Sequence, residues 1–311
     1  MTRIALAYSG SPHTSHAIGW LADVHAAEVV TLTLDLGQGR RLEAVRDCAL
    51  AMGASRAHVL DAHEEFAREY FLRALRADAL VVGGRSLVGA LSRPLLAQKL
   101  IEIAQIEHTT TVAHACAADD APIAAAVRAL RPQFTVVAVP RAGRPDDIAR
   151  TRSAAECPME PAFVELTFER GSPVAINAIP MPLLDLIGSL DIIAAAHGVG
   201  RLQGLETPAA AVLSAAHRAI ETEGANEHLS RRYAELIECG DWFTSERETL
   251  DASIAHAQDR VAGIVRLKLF KGACEIVERR KLEVVSSSSS SPVSLPTSDL
   301  WPLTSDLWLS K

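Results

Sequence analysis

The stretch AYSGSPHTS, Ala7 to Ser15, closes the first apolar run of this 311-residue chain and carries the residue types of a phosphate cradle. Ser9, Thr14 and Ser15 supply hydroxyls, and Gly10 allows backbone to approach an anion closely. Such a loop between a strand and a helix aims backbone N–H groups, and the positive end of the helix dipole, at pyrophosphate. Pro12 and His13 depart from that chemistry. Proline has no N–H, and imidazole is a poor ligand for Mg²⁺, a hard cation that prefers oxygen.

The elements around the loop suit that position. Residues 3–8, 28–34, 57–60, 79–83, 109–114 and 134–139 read as short, nearly all-apolar strands. Between them HAIGWLADVHA and LEAVRDCALAM space apolar residues three and four apart, as helices lying on a sheet do. The alternation predicts an α/β fold: a doubly wound parallel sheet with right-handed crossovers over residues 1–140. Ligands bind such sheets at the carboxyl ends of the strands, where Ser9 to Ser15 falls.

Residues 141–160 are polar and punctuated by proline, and read as a linker. Over 161–285 the pattern changes to α+β. FVELTFERGSPVAIN reads as a hairpin turning within Glu169–Pro173. Pro182 opens a helix that Gly198 closes, and Pro208 opens another that Gly224 closes. Ser245 with Glu248 reads as a capping box for a helix to Arg260, followed by a hairpin turning at Lys271-Gly272. Residues 286–291 are six serines, and TSDLW then occurs twice, at 297–301 and 304–308. That tail reads as disordered, either a short protein-binding motif or an extension without a role.

Composition narrows the classes. A net charge of −7 with no basic patch argues against nucleic acid as a partner. No leader and no membrane-spanning apolar run is seen, so a soluble cytoplasmic protein is expected. Cys48, Cys116, Cys157, Cys239 and Cys274 stand singly, which favours reduced thiols and gives no metal-ligand spacing. His197 and His217 read as packed or surface histidines, Asp119-Asp120 as a solvated turn or a weak cation site, and Glu64, Glu65 and Arg68 as an exposed, paired helix face.

Over residues 3–283 the chain resembles the argininosuccinate synthases. LDLGQG (34–39), LSRPLLAQKLIEIA (91–104), AHAC (113–116), HGVGRL (197–202), ETPAAAVLSAAHRA (206–219), YAELIECGDWF (233–243) and RVAGIVRLKLFKG (260–272) carry the resemblance in order. It implies a nucleotide-binding domain of the adenine nucleotide alpha hydrolase type, followed by a synthetase-type domain. It also implies ATP and Mg²⁺ as cofactors, citrulline and aspartate as substrates, and a homo-oligomer. The family adenylates the citrulline ureido oxygen and lets the aspartate amine displace AMP. The positions matching its nucleotide residues are Ala7, Tyr8, Ser9, Gly10, Thr14, Ser15 and Leu34. Ser86, near a family tyrosine that meets citrulline, and Arg93 are the weaker substrate-binding candidates, and Arg93 with Pro94 is also read as shaping the helix start.

The departures fall where polar groups meet substrate. The family loop SGGLDTS has become SGSPHTS, placing Ser11, Pro12 and His13 in its middle. Ser11 brings a Cβ to a position where glycine permits positive φ, and His13 is either a donor to phosphate or a drifted surface residue. Gly37, Gln38 and Gly39 fit a nucleotide contact or a plain strand-to-helix turn. Gly89 stands near a lost hydroxyl, HACAADDAPIAAAV lacks the groups that hold aspartate and the citrulline carboxylate, and Leu205 replaces a tyrosine. Loss of an arginine fork alone removes ~1.5–3 kcal/mol per charge-assisted bond. The serine-bearing segment between the domains is missing. No metal site or catalytic residue is assigned. Three readings follow: a ligase of the family type with weakened or lost activity, an ATP-dependent ligase acting on another small substrate, and a non-catalytic homologue acting through a partner.

Overall fold

A computed structural model describes residues 2–37, 42–115, 121–140, 151–202, 206–221 and 227–282. Strand β1 (Thr2–Ala7) shows how the first half is layered. Ile4 and Leu6 point to one side, among Ile18, Leu21, Val45 and Ala49, while Ala5 and Ala7 point to the other, among Phe66, Leu95 and Leu100. Both faces are covered, which is why the strand has no polar alternation.

The first helices and strands are α1 (Pro12–His25), β2 (Ala27–Asp35), α2 (Leu42–Ala51) and β3 (Arg56–Asp61). Next come α3 (His63–Glu65), a π-helical turn over Phe66–Phe71, α4 (Leu72–Arg76), and the short strands β4 (Val81–Val82) and β5 (Arg85–Ser86). The half ends with α5 (Val88–Ile106), β6 (Thr111–His114), α6 (Ala121–Leu130) and β7 (Thr135–Ala138). The parallel sheet has the order β3-β2-β1-β6-β7. Its order reverses between β1 and β6, so the loop after β1 opens at the switch point where such sheets bind ligands.

One expected strand is absent from that sheet. Residues 79–83 do not extend it: Val81 and Val82 pair antiparallel with Ser86 and Arg85. Gly83 and Gly84, at φ +56° and +77°, turn the chain back immediately. Ala79 and Leu80 are fully buried, so the apolar run fills core between helices instead of joining a ladder.

The second half contains β8 (Ala162–Glu169), β9 (Ser172–Ile176), β10 (Ile179–Pro180), α7 (Leu183–Ala196) and α8 (Pro208–Ile220). It ends with α9 (Glu227–Cys239), α10 (Ser245–Gln258), β11 (Gly263–Phe270) and β12 (Ala273–Lys281). Its sheet runs β10-β9-β8-β11-β12, antiparallel throughout. The hairpin turns fall at Arg170-Gly171 and Lys271-Gly272, all at positive φ. The cap of α10 is Thr244, whose hydroxyl accepts the Arg247 amide at 3.4 Å, so Ser245 is the first helical residue and not the cap. Helix α9 ends at Cys239, and Gly240 follows it at φ +81°, the usual glycine stop after a helix.

Leu80 and Leu91 of the first half share one apolar core with Leu166, Leu213 and Val265 of the second. Polar contacts reinforce this seam. Asp251 accepts from Arg73 at 2.8 Å and from Tyr233 Oη at 2.8 Å, and is paired with Arg247. Tyr70 stacks on Trp242 with ring centroids 5.0 Å apart. Arg218 reaches back to Asp78 at 2.6 Å.

Candidate functional site

The loop after β1 is built by its own residues. Gly10 takes φ +75°, and a Cβ there would sit 3.1 Å from both Val45 methyl groups, so only glycine fits beneath α2. Ser11 does not need glycine's freedom, contrary to expectation. Its φ of −74° and ψ of 155° are those of a helix N-cap, and its Oγ accepts the Thr14 amide at 3.3 Å. Pro12 then opens α1 at the position where a missing N–H costs least. The serine-proline pair in the sequence was the available signal for this capped start.

Three hydroxyls are tied together here. Ser9 Oγ lies 3.2 Å from Ser11 Oγ and 3.3 Å from Thr14 Oγ1, and Ser11 Oγ lies 3.2 Å from Thr14 Oγ1. The Ser9 amide also donates to Thr14 Oγ1 at 3.3 Å, and the Ser15 amide donates to Ser11 O at 2.9 Å. Tyr8 Oη contacts Ser15 Oγ at 2.9 Å and Cys48 Sγ at 3.4 Å. Burial, with help from that thiol, pushes the Tyr8 phenol up to about 12, so it stays neutral near pH 7. Ala7 is buried in β1, and His13 is half-buried in the first turn of α1.

Leu34 lies near the carboxyl end of β2, buried, and in register with Leu60 of β3. Beyond it Gly37 takes φ +84° and donates its amide to Asp35 Oδ1 at 3.1 Å. Gln38, Gly39, Cys116, Asp119, Asp120, Leu205, Gly224, residues 141–150 of the linker and the TSDLW tail lie outside the described residues.

Ser86 belongs to a different cluster. It sits in β5, where its Oγ accepts from Thr207 Oγ1 at 2.9 Å and from the Val88 amide at 3.4 Å. Thr207, the N-cap of α8, was not singled out in the sequence. Arg93 and Pro94 do not shape a helix start, because α5 begins at Val88 and both lie inside it. Glu64 and Arg68 pair one turn apart, while Glu65 pairs with Lys99 at 2.9 Å. His197 is a helix C-cap whose Nδ1 lies 2.9 Å from Ile193 O, and His217 is packed in the core.

The match to known proteins covers the whole frame. Residues 3–156 match the family description "Arginosuccinate synthase N-terminal HUP domain", and residues 139–297 match "Arginosuccinate synthase C-terminal domain". The chain belongs to the argininosuccinate synthase family. Argininosuccinate synthases of Bacillus thuringiensis (strain Al Hakam), Bacillus cereus (strain AH820) and Bacillus anthracis (strain CDC 684 / NRRL 3495) are each 35% identical to it. Each alignment spans 353 positions, covering 90% of this chain and 88% of the relative. Those 353 positions exceed the 311 residues here, so these argininosuccinate synthases carry segments that this chain lacks.

Proposed function

We propose that this argininosuccinate synthase homologue keeps the shape of the family's nucleotide cleft, binds ATP weakly, and has lost most or all of the joining of citrulline to aspartate. The observation that carries this reading is the Ser11 cap. Its hydroxyl takes the Thr14 amide at 3.3 Å, and Pro12 has no amide to offer. The amides of Ser9 and Ser15 are spent inside the loop as well. A polyphosphate gains most from helix N-terminal N–H groups that have no internal acceptor.

The residues present still fit a nucleotide in part. Positive-φ Gly10 and the start of α1 would face its phosphates, and Ser9 and Thr14 would offer oxygens towards Mg²⁺. When bound, ATP supplies the adenylyl group of the family reaction. Ser86, bonded to Thr207, has no reach comparable to a tyrosine for citrulline. The free thiols of Cys48, Cys157, Cys239 and Cys274 suit a reducing cytoplasm, where we place the protein, as a homo-oligomer or with a protein partner for its tail. Among the described residues, no helix is long and apolar enough to cross a membrane.

Calorimetric titration with Mg·ATP tests the reading. No saturation up to millimolar nucleotide, and no pyrophosphate release with citrulline and aspartate, is the expected result. Micromolar binding accompanied by turnover overturns it.

A further inference from the structure

The antiparallel sheet of the second half carries α7 and α8 on one face. Along β8 and β11, Val164, Leu166, Phe168, Val265, Leu267 and Leu269 are buried on that side. The alternate residues Phe163, Glu165, Ile264, Arg266 and Lys268 point to the opposite face. There an open cavity of about 360 Å³ is lined by Phe163, Glu165, Asn177, Ala178 and Arg266.

The lining groups define what would fit. Phe163 is 47% exposed, and the Arg266 guanidinium lies over its ring, 5.3 Å from the centroid. Glu165 stands directly opposite Arg266 in the register of β8 and β11. Its backbone is pinned by Asn177, whose Oδ1 accepts the Glu165 amide at 2.9 Å and whose amide donates to Glu165 O at 2.8 Å. The cavity therefore offers an aromatic wall, a forked cation laid flat on it, and a carboxylate at a fixed strand position. The complement of that set is a carboxylate next to an aromatic ring that bears an N–H.

The chain carries this pair twice beyond β12. Asp299 precedes Trp301 by two positions, and Asp306 precedes Trp308 by two. In an extended segment, residues two apart face the same way. The tail also starts close by. The Leu282 amide donates to Ala262 O at 2.9 Å, and Arg266 lies four residues further along β11, about 13 Å away. Asp299 and Asp306 come 17 and 24 residues after Leu282, and Ser-rich chains of those lengths span about 23 and 27 Å on average. Either repeat reaches the cavity without being stretched.

We infer that the tail folds back onto its own chain and seats one Asp-x-Trp repeat in this cavity. The aspartate takes the Arg266 guanidinium, the indole lies against Phe163, and the indole N–H donates to Glu165. The two repeats compete for one place, so loss of either leaves the other to fill it. A linker of this reach presents the tail at about millimolar effective concentration, so a contact of about 0.1 mM in isolation keeps it seated roughly nine-tenths of the time. The inference stands apart from the nucleotide reading, because no residue of the loop after β1 takes part.

The test is fluorine NMR of the full chain labelled with fluorotryptophan, with Trp301→Phe and Trp308→Phe variants to assign the tail resonances. Both tail resonances are expected to lie away from their positions in a labelled synthetic peptide of residues 286–311. Arg266→Ala should move them to the peptide positions while the Trp20 and Trp242 resonances stay in place, which shows that the fold is kept. Asp299→Asn with Asp306→Asn, changes confined to the tail, should lower the ratio of seated to free tail by about tenfold. Tail resonances already at the peptide positions, or shifts indifferent to both sets of variants, overturn the inference. Shifts that vanish on dilution overturn it too, because the tail then sits on a second copy of the chain. A failed ATP titration has no bearing on any of these outcomes.

Discussion

Thr207 donates its hydroxyl hydrogen to Ser86 across 2.9 Å, joining the cap of α8 to the strand that precedes α5. This bond links the two halves of the chain. Thr207→Val should cost about 1 kcal/mol, the usual net value of a hydrogen bond in a part-buried site. In a double-mutant cycle with Ser86→Ala, denaturant unfolding should show coupling of similar size, and strict additivity would contradict the pairing.

The loop after β1 makes a separable prediction. Replacing Ser11, Pro12 and His13 together by Gly, Leu and Asp restores an N–H and a carboxylate and frees the Thr14 amide. ATP affinity should rise by about tenfold, with citrulline binding still absent, at a stability cost of only a few tenths of a kcal/mol for the cap. Calorimetry on the triple variant decides this; unchanged affinity would mean that the loop is not what limits the nucleotide.

Asp251 should matter more than any surface carboxylate. It serves Arg73, Arg247 and Tyr233 together, with its side chain 19% exposed. Asp251→Ala leaves two guanidinium groups facing each other and is expected to cost about 3 kcal/mol. Urea unfolding measures it, and a loss below ~1 kcal/mol would show that the pairs are screened as surface pairs are.

His217 sets a pH dependence. Burial, opposed only by its bond to Gln258 at 3.0 Å, pushes its imidazole down to about 4. The unfolded chain therefore binds this proton more readily than the folded one. Stability from this group is complete above the ordinary value of 6.5 and falls as the pH drops from there to about 4. His217→Gln should flatten that limb of a stability-against-pH curve by about 3 kcal/mol.

Glu107 acts at lower pH. Its buried carboxylate meets Arg3 at 3.1 Å, Arg56 at 3.1 Å and His58 at 2.9 Å. Burial alone would raise the carboxyl, but His58 and Arg56 outweigh it and hold it below its ordinary 4.5. The stability it contributes is present above pH 4.5 and is lost as the pH falls through the lower folded value. Glu107→Gln should remove that acid-limb loss while lowering stability at pH 7, as read from melting curves across pH.

Much of the fold was legible because its elements carry local signals. Apolar strands without alternation announced a sheet covered on both faces, and the Lys271-Gly272 turn fell where the two runs suggested. Val81 and Val82 misled, since an apolar pentamer reads the same in a ladder as in a core, and only the two glycines at 83 and 84 distinguish them. The site was less legible. Ser11 looked like damage to a loop because the comparison was with glycine, whereas Ser-Pro at a helix start is a sound cap. Thr207 comes to its place through long-range packing, which spacing along the chain does not encode.

The single core that runs from Leu80 and Leu91 to Leu213 and Val265 gives the chain one fate. The second half packs its interior wholly into this shared core, whereas the first half also keeps a cluster of its own around Ile4, Leu6, Ile18 and Leu21 on the other face of its sheet. Change in such a molecule is confined to positions outside the shared interior. A lineage can then shed the polar groups of its cleft one by one while every copy still folds.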